Sequence, residues 1–416
     1  MAPVESTNQT KSRLLLTEYP AYGWFWCARI ASGLAFQIQA VAVGWQVYEL
    51  THSTFKLGMV GLVQFLPIVL LTLPAGHIVD RYERRTIYGT ALCVQGLASC
   101  FLALGSWAHW LGITGIFATV AVIGSARAFQ GPSTQALMPT LVPDHLVPKA
   151  IAWGAGAFQT ASIVGPSIGG LLYAFGAFVP YAAAGTMGLL GAALVALMRV
   201  KKTIRPKQPA TLASLFSGIH FIRGHSVVLG SISLDLFAVL LGGATALLPV
   251  FTRDILHVGV WGLGALRSAP AAGSLAMSIY LARHPPQRKV GRKMFLAVIV
   301  FGITTILFGI SRSFSLSMAA LTLLGAADTI SVVIRSSLVQ LETPNDMRGR
   351  VGAVNSLFIG TSNQLGEFES GVTASLVGTV AATVIGGVGT LAVAFLWMKI
   401  FPALRDFDRF AEKKTN

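Results

Sequence analysis

Three ionisable side chains lie inside predicted membrane spans. Arg127, Asp328 and Glu367 each fall within such a span, where a charge is costly and usually has a function. A carboxyl group in a medium of low dielectric favours its protonated form, so it can take up and release a proton. Protonation would weaken its contact with an opposing arginine. These three residues therefore predict proton coupling, in which proton uptake changes ionic contacts between helices.

Arg127 and Asp328 occupy equivalent places in two halves of the chain. A shift of 201 residues aligns Gly124 with Gly325 and Arg127 with Asp328. The two halves are thus predicted to present opposite charges to a central cleft, with a structural ion pair as the alternative interpretation. The same shift places Glu367 on Pro166, next to glycines that are predicted to pack helices closely.

Further polar side chains within predicted spans are predicted to line a substrate cavity. They are Arg29, Gln37, Gln130, Asp235 and Asn363. Asn363 shares a helix face with Glu367, whereas Glu369 points about 200° away from Glu367. Two alternatives stay open: Arg29 snorkels to the cytosolic edge of the membrane, and Asp235 belongs to a buried ion pair.

Catalytic and metal-binding patterns are weak or absent in the sequence. Residues 165–169 satisfy the bare Gly-x-Ser-x-Gly pattern of hydrolases, but a continuous apolar helix does not supply the strand, turn and triad partners that this chemistry needs. None of the three cysteines belongs to a C-x-x-C pair, and neither a His-Glu-x-x-His nor a Walker motif is present. The sequence predicts no enzyme, no metal site and no cofactor.

The composition of the chain predicts the elements that must position these residues. The 416 residues are 54% hydrophobic and only 11% charged, whereas an ordinary soluble domain has about 25% charged residues. Long continuous apolar runs exclude an outer-membrane barrel, because barrel strands alternate apolar and polar residues. Twelve transmembrane helices are predicted, at 21–47, 56–75, 86–108, 112–139, 150–175, 179–198, 227–250, 259–282, 294–311, 316–339, 351–378 and 380–401.

The distribution of positive charge predicts the orientation in the membrane. The net charge is +15, but the basic residues cluster between apolar runs and do not form the continuous basic face of a nucleic-acid-binding protein. If both termini are cytosolic, 24 of the 31 Lys and Arg residues lie inside and three lie outside. This bias predicts a multi-pass plasma-membrane protein, in a bacterial inner membrane, with both termini in the cytoplasm.

The internal alignment predicts two pseudo-symmetric six-helix bundles, joined by a basic, amphipathic segment on the membrane surface. The predicted division is a cytoplasmic N-terminal tail at 1–20, a first bundle at 21–198, a cytoplasmic linker at 199–226, a second bundle at 227–401 and a cytoplasmic C-terminal tail at 402–416.

The segment 76–85 after the second span has a recognisable pattern. It reads Gly-His-Ile-Val-Asp-Arg-Tyr-Glu-Arg-Arg and resembles the loop signature of the major facilitator superfamily, Gly-x-x-x-Asp-Arg-x-Gly-Arg-Arg/Lys, with a Glu at one glycine position. The resemblance implies a gating motif formed by Gly76, Asp80, Arg81, Arg84 and Arg85. A merely basic cytosolic loop would explain the arginines but not Gly76 and Asp80 at this spacing.

Two further segments resemble signatures of the same superfamily. Residues 127–131 read Arg-Ala-Phe-Gln-Gly, similar to the Arg-x-x-Gln-Gly pattern associated with proton-coupled transport. Residues 165–170 read Gly-Pro-Ser-Ile-Gly-Gly, similar to the Gly-Pro-x-x-Gly-Gly pattern of its exporters. In this second segment, Gly165, Pro166, Gly169 and Gly170 are predicted to pack helices. With the run at 365–371, these motifs look like the branch that includes bacterial enterobactin (siderophore) exporters and macrolide efflux proteins.

The resemblance implies an all-α secondary active transporter. We expect it to export a small organic compound, siderophore-like or drug-like, by proton antiport with alternating access. Uptake, either proton-coupled or facilitative, is the alternative, and a membrane receptor or scaffold is a further one. The expected partners are the small-molecule substrate, protons and the lipid bilayer, with no nucleic acid, and the expected state is a monomer.

Overall fold

The computed structural model describes residues 18–199, 212–344 and 347–409, and these ranges contain helices and no strands. The predicted helical fold class is confirmed. Twelve long helical segments run through the described ranges. Their bounds are α1 Pro20–Thr51, α2 Thr54–Arg81, α3 Arg84–Trp107, α4 Ile113–Leu137, α5 Val147–Tyr173, α6 Phe178–Leu197, α7 Ser226–Leu241 with short turns to Ile255, α8 Gly259–Arg283, α9 Val290–Ile310, α10 Phe314–Glu342, α11 Arg348–Val377 and α12 Thr379–Ile400.

The helix ends follow local sequence signals. Pro20 occupies the first position of α1, where its missing N–H is not needed. The Ser53 hydroxyl caps α2 by accepting a hydrogen bond from the backbone N–H of Lys56 at 3.3 Å. Only Tyr82 and Glu83 separate α2 from α3, so the chain turns from one helix into the next within two residues.

Nine helices in the described ranges are long and apolar enough to cross a membrane. The long helices outside this group are α5, α8 and α11. They carry polar residues and glycines along their length, including Gln159, Arg267 and Glu367. Because α5 and α8 contact each other and α11 contacts α2, these polar residues lie toward neighbouring helices more than toward lipid.

The seventh span differs from its prediction as one helix over 227–250. Its first helix ends at Leu241, and the chain continues through a short 3-10 turn and a π-helical turn that ends at Ile255. The break falls on two glycines at tight packing contacts. A Cβ at Gly242 would lie 2.5 Å from the Phe301 ring, and one at Gly243 would lie 2.4 Å from the Gly366 carbonyl oxygen. The hydropathy pattern is continuous through this break and could not reveal it.

Between residues 212 and 224 lies a short amphipathic helix, Leu212–Gly224, which we call the linker helix. A Cβ at Gly218 would lie 3.0 Å from the Arg350 carbonyl oxygen at the start of α11. Ile222 packs with Val228, Val351 and Val354 in a small buried cluster. The linker helix is thus attached to the first turns of α7 and α11. Parts of the predicted N-terminal tail (1–20), linker (199–226) and C-terminal tail (402–416), namely residues 1–17, 200–211 and 410–416, lie outside the described residues.

Helices α1–α6 pack mainly on one another, as do α7–α12, and the two sets meet along α2 with α11 and α5 with α8. At both seams, glycines allow close backbone contact. A Cβ at Gly58 would lie 2.9 Å from the Gly371 Cα, and one at Gly264 would lie 2.5 Å from the Pro166 carbonyl oxygen. These contacts are all in the half of the molecule that contains Tyr48, which we call the Tyr48 end.

The opposite end, which we call the Asp80 end, is open. Along the same two helices, a Cβ at Gly76 of α2, or at Gly352 or Gly360 of α11, would contact no described atom within 4 Å. The two sets of helices are therefore in contact at the Tyr48 end and separated at the Asp80 end.

Candidate functional site

A large cavity lies between the two sets of helices. Its volume is about 1470 Å³, larger than the roughly 300–1,000 Å³ of typical small-molecule pockets. Residues of α1, α2, α4, α5, α7, α8 and α11 line it. Asp80 of α2 and Arg348 of α11 are part of the lining at the Asp80 end. The cavity thus reaches from the middle of the molecule to the Asp80 end.

Polar contacts close the Tyr48 end. The Tyr48 hydroxyl of α1 donates a hydrogen bond to the Asp254 carboxylate in the π-helical turn of α7. The Tyr173 hydroxyl of α5 donates to Glu49 of α1 at 2.8 Å. At the Tyr48 end, hydrogen bonds therefore join α1 to α5 and to α7, in addition to the glycine contacts of α2 with α11 and of α5 with α8.

Two arginines reach the cavity from different helices and meet the same face of α1. The Arg127 guanidinium of α4 lies over the Phe36 ring, 3.6 Å from its centroid, a cation–π geometry. Arg267 of α8 donates to the Ala40 carbonyl oxygen at 3.4 Å, and a Cβ at Gly44 would lie 3.9 Å from its Nη1. All five residues line the cavity.

Glu367 of α11 supplies a carboxylate to the same cavity. A Cβ at Gly61 of α2 would lie 3.0 Å from its Oε2, so this side chain sits at the α2–α11 seam just below the closed end. Glu367 interacts electrostatically with Arg267. Glu369 is not among the lining residues, and its carboxylate accepts a hydrogen bond from Thr373 at 2.7 Å. The two acids of α11 therefore occupy different environments, as their helical spacing predicts.

A second charged group lies inside the α7–α12 set. Arg335 Nη2 of α10 is 3.2 Å from Asp235 Oδ2 of α7, and its Nη1 donates to Asn355 of α11 at 3.1 Å. Asp328 interacts electrostatically with both Asp235 and Arg335. None of these four residues lines the cavity.

The predicted meeting of Arg127 and Asp328 across a cleft does not occur in this structure. Arg127 faces the cavity and Phe36, whereas Asp328 belongs to the Asp235–Arg335 group. The internal alignment gives equivalent positions in two halves, but it does not give the rotation of each helix. Asp235 belongs to a buried ion pair, which was the alternative interpretation, and it does not line the cavity.

The other residues predicted for the cavity divide into two groups. Gln37 and Asn363 line it, and Gln37 also donates to Ser162 of α5 at 3.3 Å. Arg29 and Gln130 are not among the lining residues. Gln130 donates to Ser32 at 2.6 Å and thereby joins α4 to α1, and the Arg29 guanidinium lies 5.9 Å from the Phe25 ring centroid.

The loop predicted as a gating motif lies at the open end of the cavity. Gly76 and Asp80 belong to the lining, and Arg81 is exposed. Arg84 donates to the Ala136 carbonyl oxygen of α4 at 3.1 Å, and Arg85 donates to the Met198 carbonyl oxygen after α6. Two of the arginines thus attach the loop to neighbouring helices, while Asp80 makes no hydrogen bond or ion pair to any described residue.

The glycine segment of α5 packs against two helices at once. A Cβ at Gly165 would lie 2.6 Å from the Gln37 Cβ, and one at Gly169 would lie 3.0 Å from the Ile38 Cα, both in α1. A Cβ at Gly170 would lie 2.6 Å from the Val260 carbonyl oxygen of α8. The Pro166 carbonyl oxygen completes the contact with Gly264 of α8 described above.

Several residues that the structure places in the site were not predicted from the sequence. They are Arg267, Gln64, Gln364, Tyr48 and Asp254. The signal for Arg267 was available, because it is an arginine inside a predicted span, like Arg127. The pairing of Tyr48 with Asp254 has no sequence signal, since the two residues are 206 positions apart.

Comparison with known proteins places this architecture in a family. The family model described as "Transmembrane secretion effector" matches residues 16–416. The enterobactin exporters EntS of Escherichia coli K12 and of Shigella boydii serotype 18 are each 25% identical over 410 residues, which is 96% of this chain and 96% of theirs.

Solved structures with the same fold are more distant in sequence. A bacterial homologue of the human lysosomal transporter Spinster, in an inward-facing and unoccupied conformation, superposes with a TM-score of 0.72 at 13% identity over 93% of this chain and 96% of that chain. A POT family transporter in complex with 5-aminolevulinic acid gives a TM-score of 0.73 at 12% identity, covering 92% and 96%.

These comparisons confirm the resemblance to the major facilitator superfamily. The relatives named above are transporters, in agreement with a cavity between two sets of membrane-spanning helices. Because the family model covers nearly the entire sequence, the chain belongs to the transmembrane secretion effector family of the major facilitator superfamily and is a multi-pass membrane transporter of small molecules.

Proposed function

We propose that this protein exports a small organic compound by proton antiport with alternating access. The observation that carries the proposal is the cavity, which is closed at the Tyr48 end, open at the Asp80 end, and lined by Arg127, Arg267 and Glu367. A cavity of this form presents a binding site to one side of the membrane, and charged groups within it can couple binding to protonation.

The proposed orientation puts the Asp80 end in the cytosol of a bacterial inner membrane. The positive-inside rule supports it, because 24 of the 31 Lys and Arg residues then lie in cytosolic segments. In this orientation both termini are cytoplasmic, and the structure corresponds to an inward-open state that takes its substrate from the cytosol. The Spinster homologue, which shares this fold, also adopts an inward-facing conformation.

The proposed cycle is a movement of two bundles, 21–198 and 227–401, within one monomer. Opening of the Tyr48 end requires the α2–α11 and α5–α8 seams to separate, which breaks the Tyr48–Asp254 hydrogen bond. Closing of the Asp80 end brings the loop at Asp80 toward the start of α11. The glycine segment at 165–170 serves as the close contact around which α5 and α8 move.

Glu367 is the proposed site of proton exchange. It is an acid that lines the cavity deep in the membrane, and it lies at the α2–α11 seam that must open. A proton that enters from outside neutralises Glu367 and weakens its attraction to Arg267, which favours the conversion between the two states. Asp328 is a second candidate, which would act through the Asp235–Arg335 group.

The test is efflux from reconstituted vesicles at controlled pH on the two sides. A pH difference of one unit supplies about 1.4 kcal/mol per proton, enough for a tenfold accumulation of a neutral substrate with one proton exchanged. We expect purified wild-type protein to drive such accumulation of a compound from a drug and siderophore panel, and a protonophore to abolish it.

Matched variants assign the coupling. Glu367→Gln should lose gradient-driven accumulation while still binding substrate, and Glu369→Gln, which removes the same charge two residues away, should retain it. Loss of coupling in Asp328→Asn but not in Glu367→Gln would move the proton site to α10. Accumulation in the direction of the proton flux would identify uptake as the function.

A further inference from the structure

The charges of the cavity are unbalanced in its deep part. Among the lining residues of this part, Arg127 and Arg267 are basic and Glu367 is the acid. One carboxylate can neutralise at most one guanidinium, and neither arginine forms an ion pair with any described residue: Arg127 lies on the Phe36 ring, and Arg267 donates to a backbone carbonyl. At least one positive charge in the middle of the membrane therefore lacks a counterion.

An arginine in this position is costly unless an anion accompanies it. Arg335 is, by contrast, an arginine of the same protein whose charge is compensated. Arg335 is paired with Asp235 at 3.2 Å, has Asp328 nearby, and is 2% exposed. Arg127 and Arg267 are instead half-buried and open to the cavity. Their unpaired N–H groups can donate to a molecule in the cavity.

We infer that Arg127 and Arg267 form an anion-binding site, and that the compound this protein transports is an amphipathic organic anion. The inference names the substrate class of the proposed function, and it rests on that function for the statement that the bound anion is transported. Guanidinium groups suit this role because they present planar sets of donors that match carboxylate, phosphate or similar oxyanions.

The spacing of the two arginines sets the size of the ligand. Arg127 contacts Phe36, and Arg267 contacts Ala40 and approaches Gly44, on one face of α1. At 1.5 Å per residue these contacts lie about 6–12 Å apart along the helix. One oxyanion can therefore sit between the arginines, or an acid with two anionic groups can bridge them.

The remaining walls fit the apolar body of such a compound. Phe65 and Ile68 of α2 and Phe158 of α5 line the same cavity, together with the Phe36 ring. Aromatic rings of a ligand can stack on these side chains, while the neutral amides of Gln64 and Gln364 line the same space. A cationic compound would lose its hydration in a site with an excess of positive charge, so the geometry selects against it.

The test uses three probes with one ring system and different charge: 2-naphthoate, 2-naphthamide and 2-naphthylmethylammonium. Their dissociation constants are measured by calorimetry on the full-length protein in detergent, without any proton gradient. We expect naphthoate to bind at least tenfold tighter than naphthamide, and the ammonium compound to bind weakest. Equal or tighter binding of the ammonium compound, or no binding of naphthoate by folded protein, would overturn the inference.

Variants locate the site. Arg127→Gln and Arg267→Gln should each weaken naphthoate binding about tenfold and leave naphthamide binding unchanged, because each removes about one charge-assisted hydrogen-bonded contact. Arg127→Lys and Arg267→Lys keep the charge and should retain most of the preference, which separates binding from misfolding. Arg283→Gln is the matched control, since it removes an exposed arginine at the end of the same helix α8.

Glu367→Gln should strengthen naphthoate binding, because it removes the carboxylate that repels the ligand. An unchanged ratio of naphthoate to naphthamide affinity in both Arg127→Gln and Arg267→Gln would refute the anion site. This outcome is distinct from failure of the proposed function. Selective naphthoate binding without proton-driven efflux would leave the site in place and reject antiport, whereas proton-driven efflux of cations alone would retain antiport and reject the site.

Discussion

The ion pair between Asp235 and Arg335 allows a quantitative prediction of stability. Its atoms are 3.2 Å apart, and the two side chains are 7% and 2% exposed, respectively. Removing one partner of a buried pair leaves the other charge uncompensated, which costs about 3–5 kcal/mol of unfolding free energy. Arg335 keeps its hydrogen bond to Asn355 and the nearby charge of Asp328. We therefore expect Asp235→Leu to lie at the lower end of this range, near about 3 kcal/mol.

Two further variants test the electrostatic reasoning. Asp328→Asn removes the second carboxylate that interacts electrostatically with the Arg335 guanidinium, so it should cause little loss of stability or a gain. Replacing both partners, as in Asp235→Leu with Arg335→Met, removes the desolvation penalty of the pair together with its attraction. The double variant should thus be more stable than Asp235→Leu alone.

The assay is denaturant unfolding of the purified variants in detergent micelles, followed by circular dichroism and arranged as a double-mutant cycle. The single variants Asp235→Leu and Arg335→Met, together with the double variant, give a coupling energy that separates the interaction of the pair from the change in packing. Additive losses in the cycle, or an Asp235→Leu variant as stable as the wild type, would refute the conclusion that these two buried charges compensate each other.

Three other predictions concern the two ends of the cavity. Gly264→Ala should weaken closure at the Tyr48 end and raise the labelling of a cysteine placed there, since its Cβ would lie 2.5 Å from the Pro166 carbonyl oxygen. The control is Gly156→Ala, where no described atom lies within 4 Å of the added Cβ. Equal labelling of the two variants would contradict the prediction. Tyr48→Phe removes a hydrogen bond to a carboxylate, worth about 1.5–3 kcal/mol, and should shift the protein toward opening at the same end; unchanged labelling would count against this. Asp80→Asn should reduce transport at matched membrane abundance more than Glu83→Gln, whose acid pairs with Arg85 in the same loop, and normal transport by the Asp80 variant would remove the gating role.

The sequence was sufficient for the predictions that depend on local composition. Most membrane helices are long apolar segments, so the order and approximate position of most of the helices follow from hydropathy. The loop at 76–85 and the glycine segment at 165–170 were sufficient for the superfamily, because these patterns depend on residue types at fixed short spacing. The different settings of Glu367 and Glu369 follow from helical geometry, which places residues two apart on different faces.

The tertiary structure decided which side chains meet. Arg127 and Asp328 are equivalent in the internal alignment but face different neighbours, because the contacts of a residue depend on the rotation and tilt of its helix against others far away in sequence. The same reason separates Asp235 from the cavity and brings Arg267 to the α1 face that holds Phe36. The break in α7 and the closure at Tyr48 and Asp254 depend on packing between helices whose residues are up to 206 positions apart. Hydropathy is averaged along one helix and carries no information about such contacts. The sequence by itself therefore determined the helices and the family. Only the packing of the helices determined the charge balance of the cavity.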